Sequence, residues 1–305
     1  LALGVRGLVN AQFIVRDDGV YLIEVNPRAS RTVPFLSKVT GVPMVELAVR
    51  IALGESLAEL GWPNGLLDPP PFVAVKAPAF STAKLRGVDP SVGPGMQSTG
   101  EVIGIHEDPR VALAKALVGA SLVPPRASLV LSGASLVTPG AARVPPGAAR
   151  GVDGSATALL SIADRDKPHL ARLADGLARA GYALAATPGT RAALAALGHD
   201  SQPVAKLGAE AAPGEVPIIE LIESGDVRLV VNTPTPRSGA VRDAAEIRLA
   251  ATGEGILCLT AIETAIAAAE ALDPAIESAL SDVRSLEDRM PAGSGASRAR
   301  VATPA

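Results

Sequence analysis

With 305 residues, 48% hydrophobic and 19% charged, and a formal net charge of −3, the chain has material for two globular domains and no basic excess that would favour nucleic acid. Its one cysteine, Cys258, excludes a disulfide framework and a multi-cysteine zinc site and fits a reducing compartment. Apolar runs are broken by charge, Gly or Pro well before the ~18 residues of a membrane span. The chain opens on Leu1 with no signal peptide and runs straight into patterned sequence, which leads us to expect a piece of a longer protein.

The first predicted elements are two strands. "LVNAQFIV" and "VYLIEV" flank "RDDG", an Asp/Gly turn signal. With the loop centred on Asp18, Gln12 faces Glu24, and Asn26 shares their side because strand side chains alternate. Tyr21, Ile23 and Val25 take the other side and are expected to pack inward. The polar side offers a carboxylate and two amide oxygens, a hard-oxygen set suited to Mg²⁺ carrying substrate phosphates. Arg28 and Arg31 follow, with the fork geometry that phosphate and carboxylate favour. On spacing alone the same residues read equally as a solvated strand end with a surface Arg pair.

Next, "PMVELAVRIALG" predicts an amphipathic helix carrying Met44, Val45, Leu47, Ala48, Ile51 and Ala52, stopped at Gly54, with Glu46 and Arg50 as an outer i,i+4 ion pair. Over 119–150, "ASLV" recurs at 120, 127 and 134 and "PGAAR" repeats after the same step. The prolines forbid a coiled coil, so this reads as a low-complexity linker without chemistry.

From residue 156, strands "ATALLSIA", "YALAAT", "PVAKL", "VRLVVNT" and "GILCLTA" alternate with helical stretches. That pattern predicts a mostly parallel, doubly wound α/β sheet, which binds ligands beyond the carboxyl ends of its strands. Ser161, Thr187, Lys206, Asn232 and Thr233 fall at those ends, with Lys167 in the turn after the first strand. "TPGT", Thr187 to Thr190, opens a helix where free N–H groups and two hydroxyls can hold a phosphate. Singly, each reads as a helix cap or a surface lysine.

Two sets of motifs carry a resemblance. "GLVNAQFIV…VYLIEVNPRASRTVPFLSKVTGVPM" and "GVDPSVGPGMQSTGEVIGI" resemble the end of the second ATP-grasp domain of the carbamoyl phosphate synthetase large chain. "LLSIADRDK…LAATPGT…VAKL…LVVNTPTPR…AAEIR" resembles the carboxyl-terminal regulatory domain of the same family, a methylglyoxal-synthase-like fold. The expected organisation is therefore a partial ATP-grasp domain at 1–118, the linker at 119–150, a nucleotide-effector domain at 151–285 and a flexible tail at 286–305.

The resemblance implies an ATP-dependent, glutamine-hydrolysing ligase of pyrimidine and arginine biosynthesis. It implies that Gln12 and Glu24 bind ATP with Mg²⁺ (or Mn²⁺), that Asn26 completes the metal set, and that Arg28 and Arg31 are catalytic, facing phosphate and carbamate. It implies a nucleotide effector, UMP or IMP, lined by Ser161, Lys167, Thr187, Thr190, Lys206, Asn232 and Thr233. The implied partner is a glutaminase small chain, with a cytoplasmic location, an oligomeric full-length enzyme, and no nucleic acid or membrane partner. Ala77 stands where ornithine-responsive members carry glutamate, and Pro236 where relatives often have Gly or Ser. Two other readings compete. A stand-alone nucleotide-binding module leaves the metal-type strand end unexplained. A methylglyoxal synthase-like lyase lacks its Gly-Gly-Asp motif in "NTPTPR", and His106, His169 and His199 read as surface residues.

Overall fold

The computed structural model describes residues 4–62, 65–80, 98–123, 156–233 and 240–290. The chain divides into two compact units, one drawn from Leu1–Val73 and Val283–Ala305, the other from Ala74–Asp282.

In the first unit, β1 (Asn10–Arg16) and β2 (Gly19–Asn26) form an antiparallel hairpin in which Gln12 pairs with Glu24. Beyond that pair a bulge shifts the register, so Phe13 meets Leu22 and Val15 meets Val20. Because β1 alternates regularly, Ala11, Phe13 and Val15 with their partners make one apolar side. The extra residue moves Tyr21 to the other side, opposite Ile14, and its hydroxyl donates to Asp18 Oδ2 at 3.1 Å. The expected inward packing is not found: Tyr21 and Ile23 are exposed, as are Phe13 and Leu22, and Val25 is half-buried. Among the described residues nothing covers this sheet.

Helix α1 (Val33–Thr40) starts with a proline in its first turn, where the missing N–H removes no bond, and stops at Gly41, whose φ of 70° suits a residue without Cβ. Helix α2 (Met44–Ala52) buries Leu47 and half-buries Met44, Ala48 and Ile51, whereas Val45 and Ala52 are exposed. Arg50 binds Glu55 through Nε at 2.9 Å and Nη2 at 2.5 Å, rather than the expected Glu46. The chain turns back after the helix and offers a carboxylate that meets two guanidinium nitrogens, a geometry one helical turn cannot match.

The second unit begins with β3 (Val73–Ala79) and β4 (Gly100–His106), paired in a two-stranded sheet, and α3 (Pro109–Gly119), capped by Asp108 accepting from Arg110 N at 2.8 Å. Gly104 lets β4 lie directly on α3: a Cβ there would stand 2.0 Å from the carbonyl oxygen of Ala112. Helix α3 is buried on several sides, with Val111, Ala114, Ala116 and Leu117 all enclosed.

A six-stranded sheet follows, made of β5 (Ala156–Ser161), β6 (Tyr182–Ala186), β7 (Gln202–Ala205), β8 (Val216–Pro217), β9 (Val227–Asn232) and β10 (Leu257–Leu259). Its order is β10-β9-β5-β6-β7-β8, and its strands pair in parallel among the described residues. A 3₁₀ turn (Asp164–His169) leads into α4 (Leu170–Arg179); α5 (Pro188–Ala196), α6 (Ile218–Glu223), α7 (Ala240–Gly253), α8 (Ile262–Ala271) and the short α9 (Glu277–Leu280) complete the unit.

Adjacent residues of β5 serve opposite faces. Leu160 packs with Leu173, Leu177, Leu194 and Ile266 under α4, α5 and α8, joined by Leu117 of α3. Leu159 packs with Val230, Ile218, Ile222 and Ile247 under α6 and α7. Each such leucine contributes roughly 1.5–3 kcal/mol by leaving water. This is the predicted doubly wound sheet, so strands buried on both faces read as continuous apolar runs.

The packing division between Val73 and Ala74 lies earlier than the sequence boundary at 118, because α3 packs on α8 and joins the core of the sheet. Val123 is buried in that core, so the predicted linker begins with anchored residues; 124–150 lies outside the described residues. In the first unit, α10 (Leu286–Arg289) is helical with Arg289 buried, within the stretch expected to be tail, and 291–305 lies outside the described residues. Pro236 also lies outside them, and Ala77 is buried against Ala116 and Ala120.

Candidate functional site

The hairpin end brings three of its candidate residues together. Gln12 Nε2 donates to Glu24 Oε1 at 2.9 Å and Asn26 Nδ2 donates to the same oxygen at 2.8 Å. One carboxylate oxygen thus holds both amides, and each amide keeps a carbonyl oxygen that a half-turn of its plane would bring to the same point. These donors fit a hard divalent cation. The turn after β2 is tied back to the strand: Ser30 Oγ accepts from Asn10 Nδ2 at 3.5 Å and from Thr32 N at 3.3 Å. Arg28 and Arg31 stand exposed on this turn, with Arg28 Nη1 donating to the carbonyl of Ala29 at 3.1 Å.

At the carboxyl edge of the six-stranded sheet, Ser161 pairs with Asn232 across β5 and β9. Thr187, Thr190, Asn232 and Thr233 are all buried although polar. Thr190 Oγ1 accepts the N–H of Ile162 at 2.9 Å, and Thr233 Oγ1 accepts that of Ala163 at 2.8 Å. The two threonines therefore hold the loop that leaves β5, and each hydroxyl proton remains available to a ligand. Asn232 Nδ2 is buried with no partner among the described residues, a donor facing desolvation without compensation.

Lys167 reaches the same place from the 3₁₀ turn. Its Nζ lies 3.4 Å from the point where a Cβ on Gly189 would stand, at the start of α5, and 2.7 Å from Asp164 Oδ1. Glycine at 189 leaves room for the ammonium over the first turn of the helix. Lys206 follows β7 at the same edge and is exposed; among the described residues no hydrogen bond or ion pair links it to the other candidates. Asp164 went unrecognised in the sequence, where only its i,i+3 spacing to Lys167 could have pointed to it.

Other features lie apart from these candidates. A cleft of about 580 Å³, lined by Tyr182, Arg191, His199, Ser201 and Gln202, contains none of the candidate residues. His106 and His199 are half-buried rather than surface residues; His199 Nε2 lies 2.9 Å from Asp175 Oδ1, and His169 is exposed as expected. His106 Nδ1 accepts the N–H of Asp108 at 2.9 Å, which leaves the proton on Nε2, turned toward Glu107 and Asp282 at 3.6 and 3.7 Å. That tautomer leaves no Nε2 lone pair for a metal, and the two carboxylates stand beyond hydrogen-bond distance of the ring. Burial pushes the Cys258 thiol up to about 11, which removes it as a nucleophile near neutral pH. No helix among the described residues is long and apolar enough to cross a membrane.

Residues 1–60 match the family described as carbamoyl-phosphate synthase L chain, ATP binding domain, and residues 169–260 match the MGS-like domain. The carbamoyl phosphate synthase large chain of Thermomicrobium roseum is 45% identical over 272 residues, 89% of this chain and 22% of that protein. The large chain of Clostridium perfringens strain 13 is 40% identical over 264 residues, 87% of this chain and again 22% of the relative. The chain thus spans about a fifth of the length of these curated relatives. With the hairpin end inside the first match and Thr187, Thr190, Asn232 and Thr233 inside the second, the chain is a relative of carbamoyl phosphate synthase large chains, joining part of their ATP-binding domain to an MGS-like domain.

Proposed function

We propose that this chain is the carboxyl-terminal part of a glutamine-dependent carbamoyl phosphate synthase large chain. It contributes to Mg-ATP-dependent phosphorylation of carbamate and carries the nucleotide control of that step. The observation supporting the first role is the convergence of Gln12 and Asn26 on one oxygen of Glu24. Glu24 supplies the charge that holds a divalent cation, and Gln12 and Asn26 turn their carbonyl oxygens to complete the set. Held by Glu24, Gln12 and Asn26, such a cation would offset negative charge on the transferring group. Arg28 and Arg31, just past the strand, orient phosphate and carbamate oxygens through charge-assisted hydrogen bonds.

The MGS-like domain takes a nucleoside monophosphate, UMP or IMP, with its phosphate at Lys167, Thr187 and Thr190 and the unpartnered Asn232 amide as a further donor. The complete enzyme pairs with a glutaminase small chain, is oligomeric and works in the cytoplasm. The fragment alone is inactive, since the chain spans only 22% of its relatives' length. Carbamate-dependent ATP turnover by the purified 305-residue chain would overturn that last statement. Assaying the full-length enzyme for carbamate phosphorylation, with and without Glu24→Ala, tests the first role; unchanged turnover in the variant would remove the hairpin from the active site.

A further inference from the structure

We propose that Asp164 is a resident counterion of the effector crevice, which holds the Lys167 ammonium until a ligand phosphate replaces it and so sets the affinity of the site for phosphate-bearing molecules. This rests on the reading of the crevice as a phosphate site.

The arrangement starts from an electrostatic conflict. The Lys167 ammonium is parked beside Gly189 at the beginning of α5, where the helix presents its positive end. A cation belongs at the other end of a helix, so this placement is unfavourable by itself. The N–H groups of Thr190 and Arg191 are already bonded to the carbonyl of Thr187, at 2.9 and 2.8 Å. The N–H of Gly189 has no acceptor among the described residues. An ammonium packed against a helix start that carries an unbonded N–H favours an anion there.

Asp164 answers that demand only in part. Its Oδ1 lies 2.7 Å from Lys167 Nζ, with the aspartate side chain 95% exposed and that of the lysine 27% exposed. An ion pair with one member so fully in water contributes little and is easily exchanged. A phosphate dianion brings more charge and three acceptor oxygens, enough to engage both the ammonium and the Gly189 N–H. Asp164 therefore opposes ligand binding twice, by competing for the ammonium and by repelling the dianion. Asp166, in the same turn, is the control: its carboxylate faces Arg165 at 3.5 Å, so removing it takes away a nearby charge without touching the Lys167 pair.

The test is calorimetric titration of the whole chain with UMP and with inorganic phosphate, for the native protein, Asp164→Asn, Asp166→Asn, Lys167→Ala and the Asp164→Asn/Lys167→Ala double variant. Asp164→Asn should bind both probes roughly three- to tenfold tighter at low salt, the gain shrinking as salt rises. Asp166→Asn should gain less, and the double variant should match Lys167→Ala alone. Asp164→Ser, which leaves no amide to bond, should reproduce the gain. Native protein that binds neither probe removes the phosphate-site reading and this proposal with it. Native binding with no gain in Asp164→Asn overturns the proposal alone. An equal gain in Asp166→Asn, or a gain that persists without Lys167, also overturns it, because the effect would then be general repulsion.

Discussion

Thr190 accepts the backbone N–H of Ile162 at 2.9 Å, tying the first turn of α5 to the loop that leaves β5. Both groups are buried, so the bond cannot be replaced by water. Thr190→Ala orphans a buried N–H, which costs about 1–3 kcal/mol. We expect a lower midpoint in urea together with weaker UMP binding. Thr190→Ser keeps the oxygen and should restore most of both. Equal midpoints for the alanine variant and the native chain would show that the loop is held by something else.

Gly104 carries a steric prediction. A methyl group on it would stand 2.0 Å from Ala112 O and 2.6 Å from Ala116 N, both backbone atoms of α3. Backbone cannot step aside as a side-chain tip can, so Gly104→Ala must push the strand off the helix. Overpacking of this kind costs typically 1–3 kcal/mol. Gly189→Ala meets only the end of Lys167 at 3.4 Å and should leave the midpoint nearly unchanged. Chemical denaturation of the two variants side by side checks the contrast.

In the full-length enzyme, Glu24→Ala should abolish carbamate phosphorylation, because it removes the acceptor on which both amides converge. Gln12→Ala should reduce the rate less, since it deletes one neutral donor and leaves the charge. Equal and near-native rates in both would place the phosphorylation chemistry elsewhere.

Cys258 gives the stability of the second unit an alkaline edge. Its thiol ionises at about 11 in the folded chain because burial penalises the thiolate. In the unfolded chain it ionises nearer 8.5. The folded state therefore binds the proton more tightly. The associated stability is complete below about 8.5 and declines as pH rises toward about 11. Cys258→Ala should flatten this decline, and iodoacetamide at pH 8 should label the native protein far more slowly than the urea-unfolded one.

Asp108 and Asp273 set the acid edge. The Arg110 guanidinium, with help from its backbone N–H, holds the Asp108 carboxyl below its usual range; the N–H of Ala275 and then Arg179 do the same for Asp273. A depressed carboxyl contributes stability above its unfolded value, near 3.9, and loses it as pH falls through the folded one. Asp273→Asn should weaken the pH dependence of unfolding below about 4. An unaltered profile would mean these caps carry no linked protons.

Local rules were enough for the parts of this protein whose physics is local. An Asp-Asp-Gly turn between two apolar runs sets Gln12 against Glu24, and the structure keeps that pair. Runs such as "LVV" and "ALL", apolar at every position, announce strands buried on both faces, and Leu159 and Leu160 are divided between two cores as that pattern requires. The polar residues at strand ends follow from the same count. Tertiary structure decided the rest. The bulge after Gln12 turned Tyr21 to the polar side, because an inserted residue reverses alternation in a way composition does not mark. Arg50 took Glu55 instead of Glu46 because the chain path after α2 offered two oxygens at once. Asp164 joined the crevice because a helix start brought Gly189 under Lys167, and the charge at that point belongs to backbone dipoles and packing that no single residue in the sequence carries.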